Sequence, residues 1–391
     1  MDSGQWQFWI DRGGTFTDVV ACGPDGHLHR QKLLSEDPAR YDDAALTGMR
    51  RCLGLADDAD LPSERIAGVR MGTTVATNAL LERAGEPVAL LITRGHADTL
   101  RIGYQTRPKL FDLNIERPPL LMETVIEVDE RVAVDGEVIE PLDRARLRTS
   151  LLAARDQGIQ AVAVCLIHAD RHPQHECLVG ELAAELGFTQ ISLSHQVSPV
   201  AGLIGRADTT VVDAYLSPLI RRHVSKLSRA LGPVPLWFMK SDGGLSPAAT
   251  FAGKDAIVSG PAGGVVGAVT TAKAVDIDHL VGFDMGGTST DVFHYGGDLE
   301  RRFETEVDGV RLRAPMLDIH TVAAGGGSAL HNEGGRLQVG PNSAGADPGP
   351  ACYGRGGPLT VTDCQVMLGG SQSRWFPAVL GHDGCQRLDV E

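Results

Sequence analysis

One octad occurs twice, nearly unchanged, in this 391-residue chain: Asp11-Arg-Gly13-Gly14-Thr15-Phe-Thr17-Asp18 and Asp284-Met-Gly286-Gly287-Thr288-Ser-Thr290-Asp291. Paired glycines let backbone N–H groups approach an anion closely, and threonine hydroxyls add donors at little steric cost. Such a loop suits a polyphosphate. An aspartate at the end of the preceding strand cannot hold phosphate itself; its natural work is to hold a Mg²⁺ that bridges phosphates, usually through water. A single D-x-G-G-T is also an ordinary glycine turn. Two copies, each after an apolar strand and before another strand, point instead to two loops gripping one nucleotide from both sides, closing to exclude water and align the terminal phosphate. The competing motifs do not fit: there is no G-x-x-x-x-G-K-[ST], and "GPAGGVVG" (260–267) lacks the G-x-G-x-x-G spacing. That segment opens a helix, and it serves either an anion or close helix packing.

The elements that must carry these loops read as alternating strand and helix. Residues 6–10, 17–22 and "LHRQKLL" form an antiparallel meander with a glycine-rich first turn. There follow a helix through Leu46, Met49 and Leu53, the strand "IAGVRMGT", the helix "VATNALLERAG" and the strand "PVALLIT". Next come a hairpin over "ETVIEVDERVAVDGEVIE" turning on Asp135-Gly136, the helix "PLDRARLRTSLLAARDQG", and the strands "AVAVCLI" and "QISLSH". A boundary falls near 200. Beyond it stand a long helix over 208–231 interrupted by Pro218, the strand-to-loop "PLWFMKSDGGL", and "DAIVSGPAGGVVGAVTTAKAV" as strand, glycine turn and helix. At 279–305 the meander returns as "HLVGF", "DVFHY" and "LERRFET", so the repeat is structural as well as lexical. "AAGGGSAL" and "GPNSAGADPGPACYGRGGP" read as loops, the second an ordered functional one.

The length allows two or three domains, and 42% hydrophobic residues with mixed patterning describe a globular α/β protein. A net charge of −14 argues against nucleic acid and anionic membranes as partners. Seven cysteines, odd in number and never spaced C-x-x-C, argue for reduced thiols rather than a disulfide framework or a zinc site. The N-terminal residues show no basic, apolar leader and no stretch is long enough for a membrane helix, so a cytoplasmic protein is expected.

The paired "IDRGGTFTD" and "FDMGGTSTD" resemble the phosphate-1 and phosphate-2 loops of the actin- and hexokinase-like ATPase superfamily, in the form used by the hydantoinase A and 5-oxoprolinase family. "RMGTTVATNALLERAGE", "QTRPKLFDL", "SHQVSP", "DAYLSPLI", "KSDGGL", "SGPAGGVVG", "DIHTVAAGGGS" and "PGPACYGRGGPLTVTD" carry the resemblance across the chain. Lys240 and Asp242, with "QTRPKLFDL", lean toward the oxoprolinase branch. The resemblance implies an α/β fold of duplicated actin/hexokinase-like (ribonuclease H-like) domains, the second incomplete. Residues 1–200 would form the N-terminal domain with the phosphate-1 loop, and residues 201–391 the hydantoinase A domain with the phosphate-2 loop.

The implied reaction is 5-oxo-L-proline plus ATP and water giving L-glutamate, ADP and phosphate. ATP phosphorylates the lactam oxygen and so makes a leaving group of it. Mg²⁺ is required and K⁺ is an expected activator. Asp11 and Asp284 become the Mg²⁺-organising and polarising carboxylates, which makes them both the catalytic and the metal residues. Gly13, Gly14, Thr15, Thr17, Gly286, Gly287, Thr288 and Thr290 become phosphate contacts. Asp18 and Asp291 either hold metal or cap the next strand. Thr73, Thr74, Asn78, Arg101 and Arg107 are candidates near the substrate, where an arginine would pair with the 5-oxoproline carboxylate. His195 reads as a base or as hydrogen-bonded structure, and Asp318 and His320 carry the same alternatives.

Family members continue beyond this length with an adenosine loop and a B-type half, so a truncated N-terminal part is expected. Its partners would be the missing C-terminal half or a hydantoinase B-type subunit, with a homo-oligomer in the complete enzyme. The rival readings are N-methylhydantoinase, an ATP-dependent ketone carboxylase subunit, a sugar kinase or chaperone-like switch, and an inactive nucleotide-binding fragment.

Overall fold

The computed structural model describes residues 4–106, 111, 113–115, 118–307, 309–322, 324–381 and 384–390. The opening meander forms as expected: β1 (Trp6–Arg12), β2 (Phe16–Cys22) and β3 (Leu28–Leu34) run antiparallel. Period-two alternation buries Trp6, Phe8 and Ile10 on β1 and Thr17, Val19 and Ala21 on β2. Helix α1 (Ala44–Cys52) packs on β2 and β3, its first turn capped by Asp43, which accepts from the N–H groups of Ala45 and Leu46. β4 (Ile66–Thr73) then pairs in parallel with β1 and leads into α2 (Val75–Leu81).

The chain continues through β5 (Val88–Thr93), α3 (Thr99–Ile102), β6 (Met122–Val128), β7 (Arg131–Val132), β8 (Val138–Glu140), α4 (Arg144–Asp156), β9 (Ala161–Cys165), α5 (Gln174–Glu185), β10 (Gln190–Leu193) and α6 (Ser194–Val197). Strands β10-β9-β5-β6 make an all-parallel sheet. The hairpin expected over 123–140 is therefore smaller. Only β7 and β8 close about Asp135-Gly136, because Met122–Val128 buries Ile126 and Val128 as a parallel partner of β5. Every residue of β5 and β9 is buried, as a parallel sheet covered on both faces requires.

One of those faces meets α4 and α5 through Leu147, Leu151, Val179 and Leu182. The other meets α7 (Leu203–Leu231), whose Val211, Val212 and Leu216 share a core with Leu90 and Ile92 on one side and Phe8, Met71 and Phe238 on the other. Helix α7 begins before 208 and runs unbroken through Pro218, contrary to the interruption expected. Continuous burial from Gly205 to Leu216 holds the helix despite the N–H that proline lacks.

β11 (Leu236–Met239) and β12 (Leu245–Pro247) join the first sheet, giving the order β12-β11-β4-β1-β2-β3. That sheet draws strands from both sides of residue 200. Residues 255–258 form no strand, and the glycines after them form no turn: Gly260, Gly263, Gly264 and Gly267 lie inside α8 (Ser259–Lys273).

The second copy of the meander keeps two strands, β13 (His279–Met285) and β14 (Thr290–Gly296), and changes the third. Leu299 bridges straight back to Tyr295 and the chain then leaves the sheet. β15 (Arg301–Arg302) pairs with β18 (Met316–Leu317), tied by the Arg302–Asp318 ion pair, while β16 (Thr305–Val307) pairs with β17 (Val310–Leu312). The free edge of β14 goes instead to β19 (Ile319–Val322). The hairpin β20 (Ser328–Glu333) and β21 (Arg336–Ser343) reaches into the glycine- and proline-rich stretch expected to be loop, and α9 (Val361–Met367) follows. Among the described residues the cysteines form no disulfide. Among the described residues no helix is long and apolar enough to cross a membrane.

Candidate active site

The two octads fold into the same hairpin. Asp11 pairs with Asp18 and Arg12 with Thr17 across β1 and β2; Asp284 pairs with Asp291 and Met285 with Thr290 across β13 and β14. Each turn closes with one backbone bond, Gly13 N–H to Phe16 C=O (3.0 Å) and Gly286 N–H to Ser289 C=O (2.9 Å). In both loops the next two N–H groups, of Gly14 and Thr15 and of Gly287 and Thr288, make no hydrogen bond among the described residues. Four such donors suit an anion with several oxygens.

The loops face each other. A Cβ placed on Gly287 would stand 2.8 Å from Thr15 Oγ1, so the absence of a side chain there is what lets the second loop reach the first. Both hairpins pack against α8. Its Gly260 lies where a Cβ would sit 3.5 Å from Asp11 Oδ1 and 3.1 Å from Thr74 Cγ2, and one turn on, a Cβ on Gly264 would be 4.0 Å from Asp284 Oδ2. The lack of a side chain at Gly260 thus lets α8 pack close to Asp11 and Thr74, as the packing reading of that segment has it. Gly72 on β4 is equally tight: its Cβ would be 3.3 Å from Asp11 Oδ1 and 3.6 Å from Gly260 Cα. Ser259 fastens the junction, donating to the Met239 carbonyl (2.6 Å) and accepting from Thr73 N–H (3.3 Å).

Asp11 is exposed at the end of β1, with Gly72 and Gly260 packed close to its carboxylate. Burial, then the negative charges of Asp18 and Asp284, push its carboxyl up to about 6. A site that concentrates negative charge in this way favours a cation. Among the described residues no group of three or more His, Cys, Asp or Glu side chains could hold a metal alone. A divalent ion here would rest on Asp11 and Asp284, with phosphate oxygens and water completing its shell.

The remaining candidates divide. Thr15 is buried at the loop contact, and Thr288 is exposed at the tip of the second loop. Thr17 and Thr290 turn inward. Ser35 Oγ donates to Gly13 C=O (2.6 Å), which leaves Thr17 Oγ1 to donate to Ser35 Oγ (3.0 Å); Thr290 Oγ1 donates to Ala324 C=O (2.6 Å). Their hydroxyls brace the loops from behind. Asp18 pairs with Lys32 (2.6 Å) and Asp291 accepts from Thr321 Oγ1 (2.6 Å), the strand-side roles weighed against metal binding. Burial raises the Asp291 carboxyl, Thr321 opposes that, and Asp284 adds to it.

Thr73 Oγ1 accepts from Val75 N–H, and Thr74 donates through both N–H and Oγ1 to Arg12 C=O, so both shape the turn beside Asp11. Asn78 Nδ2 lies 3.6 Å from where a Cβ on Gly14 would be. Arg101 is exposed on α3, which packs against α7. Arg107 lies outside the described residues. Lys240 and Asp242 pair with each other (2.6 Å) at the end of β11. The sequence reading missed the third glycine run: Gly326 N–H donates to Gly286 C=O (2.8 Å) and Gly327 N–H to Gly287 C=O (2.6 Å), so "GGG" clamps the second loop. Its signal was the spacing-free run itself, which names no partner.

Residues 7–187 match the family model "Hydantoinase/oxoprolinase N-terminal region" and residues 206–391 match "Hydantoinase/oxoprolinase". The chain is 47% identical to 5-oxoprolinase 1 of Arabidopsis thaliana over 99% of its own length and 33% of that protein's. It spans about a third of the length of such curated relatives. Among solved structures, the ATP-dependent caprolactamase of Pseudomonas jessenii superposes with a TM-score of 0.75 at 33% identity, covering 94% of this chain and 55% of that one. Nucleotide-free acetone carboxylase superposes with a TM-score of 0.81 at 23% identity, covering 98% and 57%. That likeness bears out the α/β, actin- and hexokinase-like fold class. One repeated loop falls within each matched region, and the chain belongs to the hydantoinase/oxoprolinase family.

Proposed function

We propose that this chain is the nucleotide-binding part of an enzyme that couples ATP hydrolysis to opening of a cyclic amide, with 5-oxo-L-proline as substrate. The observation that supports it most is the apposition of the two octads, Thr15 against Gly287, with Asp11 and Asp284 one turn apart on the same face of α8. The family membership and the 5-oxoprolinase relatives support the choice of reaction.

The lactam carbonyl is a poor electrophile, and transferring the terminal phosphoryl group of ATP to its oxygen supplies a leaving group. In this reading the free N–H groups of Gly14, Thr15, Gly287 and Thr288 bind and orient the phosphates and stabilise charge on the transferring group. Mg²⁺, when bound, neutralises phosphate charge. Asp11 and Asp284 position it and polarise the water or substrate between them. Thr73, Thr74 and Asn78 border the first loop and are proposed to line the substrate side, with Arg101 a candidate for the substrate carboxylate. The modules divide near residue 200, at the entry to α7, and the first sheet closes across that division. The partner is a C-terminal half or a separate B-type polypeptide, a reading supported by the relative named caprolactamase subunit alpha, 35% identical.

Calorimetric titration of the chain with ATP and Mg²⁺ tests nucleotide binding; no heat of binding overturns the clamp. Phosphate release, measured on the complete enzyme or on this chain with its partner polypeptide, is expected to depend on 5-oxoproline and not on hydantoins or on ketones with bicarbonate. Stimulation by either of those instead reassigns the substrate.

A further inference from the structure

The motif "SHQVSP" plays no part in the nucleotide cleft. It forms α6 at the end of β10, beside the first turn of α5. There Glu176 is fully buried with both carboxylate oxygens engaged. Oε1 accepts from Ser194 Oγ (2.6 Å) and Leu166 N–H (2.9 Å); Oε2 accepts from His195 N–H (3.1 Å) and from His195 Nδ1 (2.6 Å). An ionised carboxylate only accepts, so the imidazole proton is held on Nδ1 and the lone pair on Nε2 points away from Glu176. It faces Cys177 Sγ at 3.9 Å. A buried acid, an imidazole fixed by it, and a thiol on the far nitrogen are the parts of an activated nucleophile.

We propose that Cys177 is a nucleophilic thiol activated by His195 and held by Glu176, and that it is a site of covalent exchange with small disulfides. The side chain is only partly buried, so a small reagent reaches it. It sits in the first turn of the twelve-residue helix α5, directly after Glu176. In the exchange the S–H proton passes to His195 Nε2 and the thiolate attacks one sulfur of the disulfide. A new S–S bond forms as the reagent's S–S bond breaks, and the departing thiolate takes the proton back from the imidazolium. Atoms and electrons balance with no further oxidant.

The other cysteines supply the contrast. Burial pushes the thiol of Cys52 up to about 11 and those of Cys165 and Cys352 up to about 12, which keeps them protonated. Cys22 and Cys364 are about as accessible as Cys177 but have no imidazole partner among the described residues. The proposal does not rest on the nucleotide reading, and nucleotide-free chain suffices to test it.

The chain is incubated at neutral pH with oxidised glutathione, and adducts are mapped by mass spectrometry over time. Cys177 is expected to react about tenfold or more faster than Cys22 and Cys364. His195→Asn keeps a donor near the Nδ1 position for Glu176 and removes the base, so it should slow Cys177 by about tenfold or more while leaving the Cys22 and Cys364 rates alone. Equal rates at the three cysteines, or an unchanged Cys177 rate in H195N, overturn the proposal. Should H195N fail to fold, the wild-type chain decides: Cys177 must react faster in the native state than in urea, and slower reaction in the native state overturns it.

Discussion

The two octad hairpins share a register, a turn and a buried threonine behind each loop, yet they stand in different surroundings. β1 is an inner strand, flanked by β2 and β4, with Phe8 fully buried and Ile10 nearly so. β13 is an edge strand, and the residues at the matching positions, Val281 and Phe283, are each 70% exposed. Arg12 reaches out of the first loop to Asp43, whereas Met285 in its place is exposed and touches no such partner. The difference teaches that the octad carries its own hairpin instructions. Glycine at the turn, hydroxyls behind it and alternation in the flanking strands suffice. What the octad does not carry is the sheet around it.

If both carboxylates serve one cation, breaking either should break everything. Asp11→Ala and Asp284→Ala, each in the complete enzyme, are expected to reduce ATP turnover by about 10³-fold or more, judged by losses on removing groups that stabilise transferring phosphoryl charge. Steady-state phosphate release measures it. A variant that keeps most of its activity would mean that the matching hairpins do unequal work.

Stability should follow surroundings rather than sequence. Phe8→Ala removes a fully buried ring from the core shared with Met71 and Phe238, at a cost of about 3–5 kcal/mol. Val281→Ala, at the matching position three residues before its octad, should cost no more than about 0.5 kcal/mol in the chain described here. Urea unfolding of both variants checks the pair. A large cost at Val281 would show that β13 is covered in solution.

A smaller effect separates the loops from each other. Gly287→Ala forces a Cβ to 2.8 Å from Thr15 Oγ1, so Thr15 or its loop must shift, at about 1–3 kcal/mol of overpacking, or roughly five- to 150-fold in nucleotide affinity. Gly14→Ala meets only Asn78 Nδ2, at an ordinary 3.6 Å. Its loss of affinity should be smaller, and titration with ATP and Mg²⁺ ranks the two.

Much of this was legible in the residues. The octads predicted their hairpins to within two residues at the strand ends, and the continuous apolar runs of "PVALLIT" and "AVAVCLI" predicted strands because runs of that length fit a parallel sheet. The third strand of the second meander was not legible. "LERRFET" alternates as well as "LHRQKLL", and only the competition from Ile319–Val322 for the edge of β14 decides against it. Nor was α8, whose glycines look like a turn locally yet lie inside the helix, where Gly260 packs against Asp11, Gly72 and Thr74. The candidate site divided the same way. Asp11, Asp284, Thr15 and Gly287 converge, while the inward turn of Thr17 and Thr290 depends on Ser35 and Ala324, far off in sequence.

The mildest test uses pH. Burial, Asp18 and Asp284 raise the Asp11 carboxyl to about 6, so the nucleotide-free native state keeps a proton that the unfolded chain releases near the ordinary value of 3.8. A raised carboxyl binds more protons in the native state than in the unfolded one. This group's contribution to stability is therefore greatest at low pH and is lost as pH rises through about 6. Cation binding has the opposite sense, because it needs the ionised form. Mg²⁺–nucleotide affinity should rise about tenfold per unit below that value and level off above it, read by titration between about pH 5 and about 8. Asp11→Asn should remove the slope. Asp284→Asn should keep it and move its midpoint down, since one of the charges that raise Asp11 is gone. If instead the midpoint stays in place, the two carboxylates do not sense each other, and the hairpins are alike in shape without sharing a site.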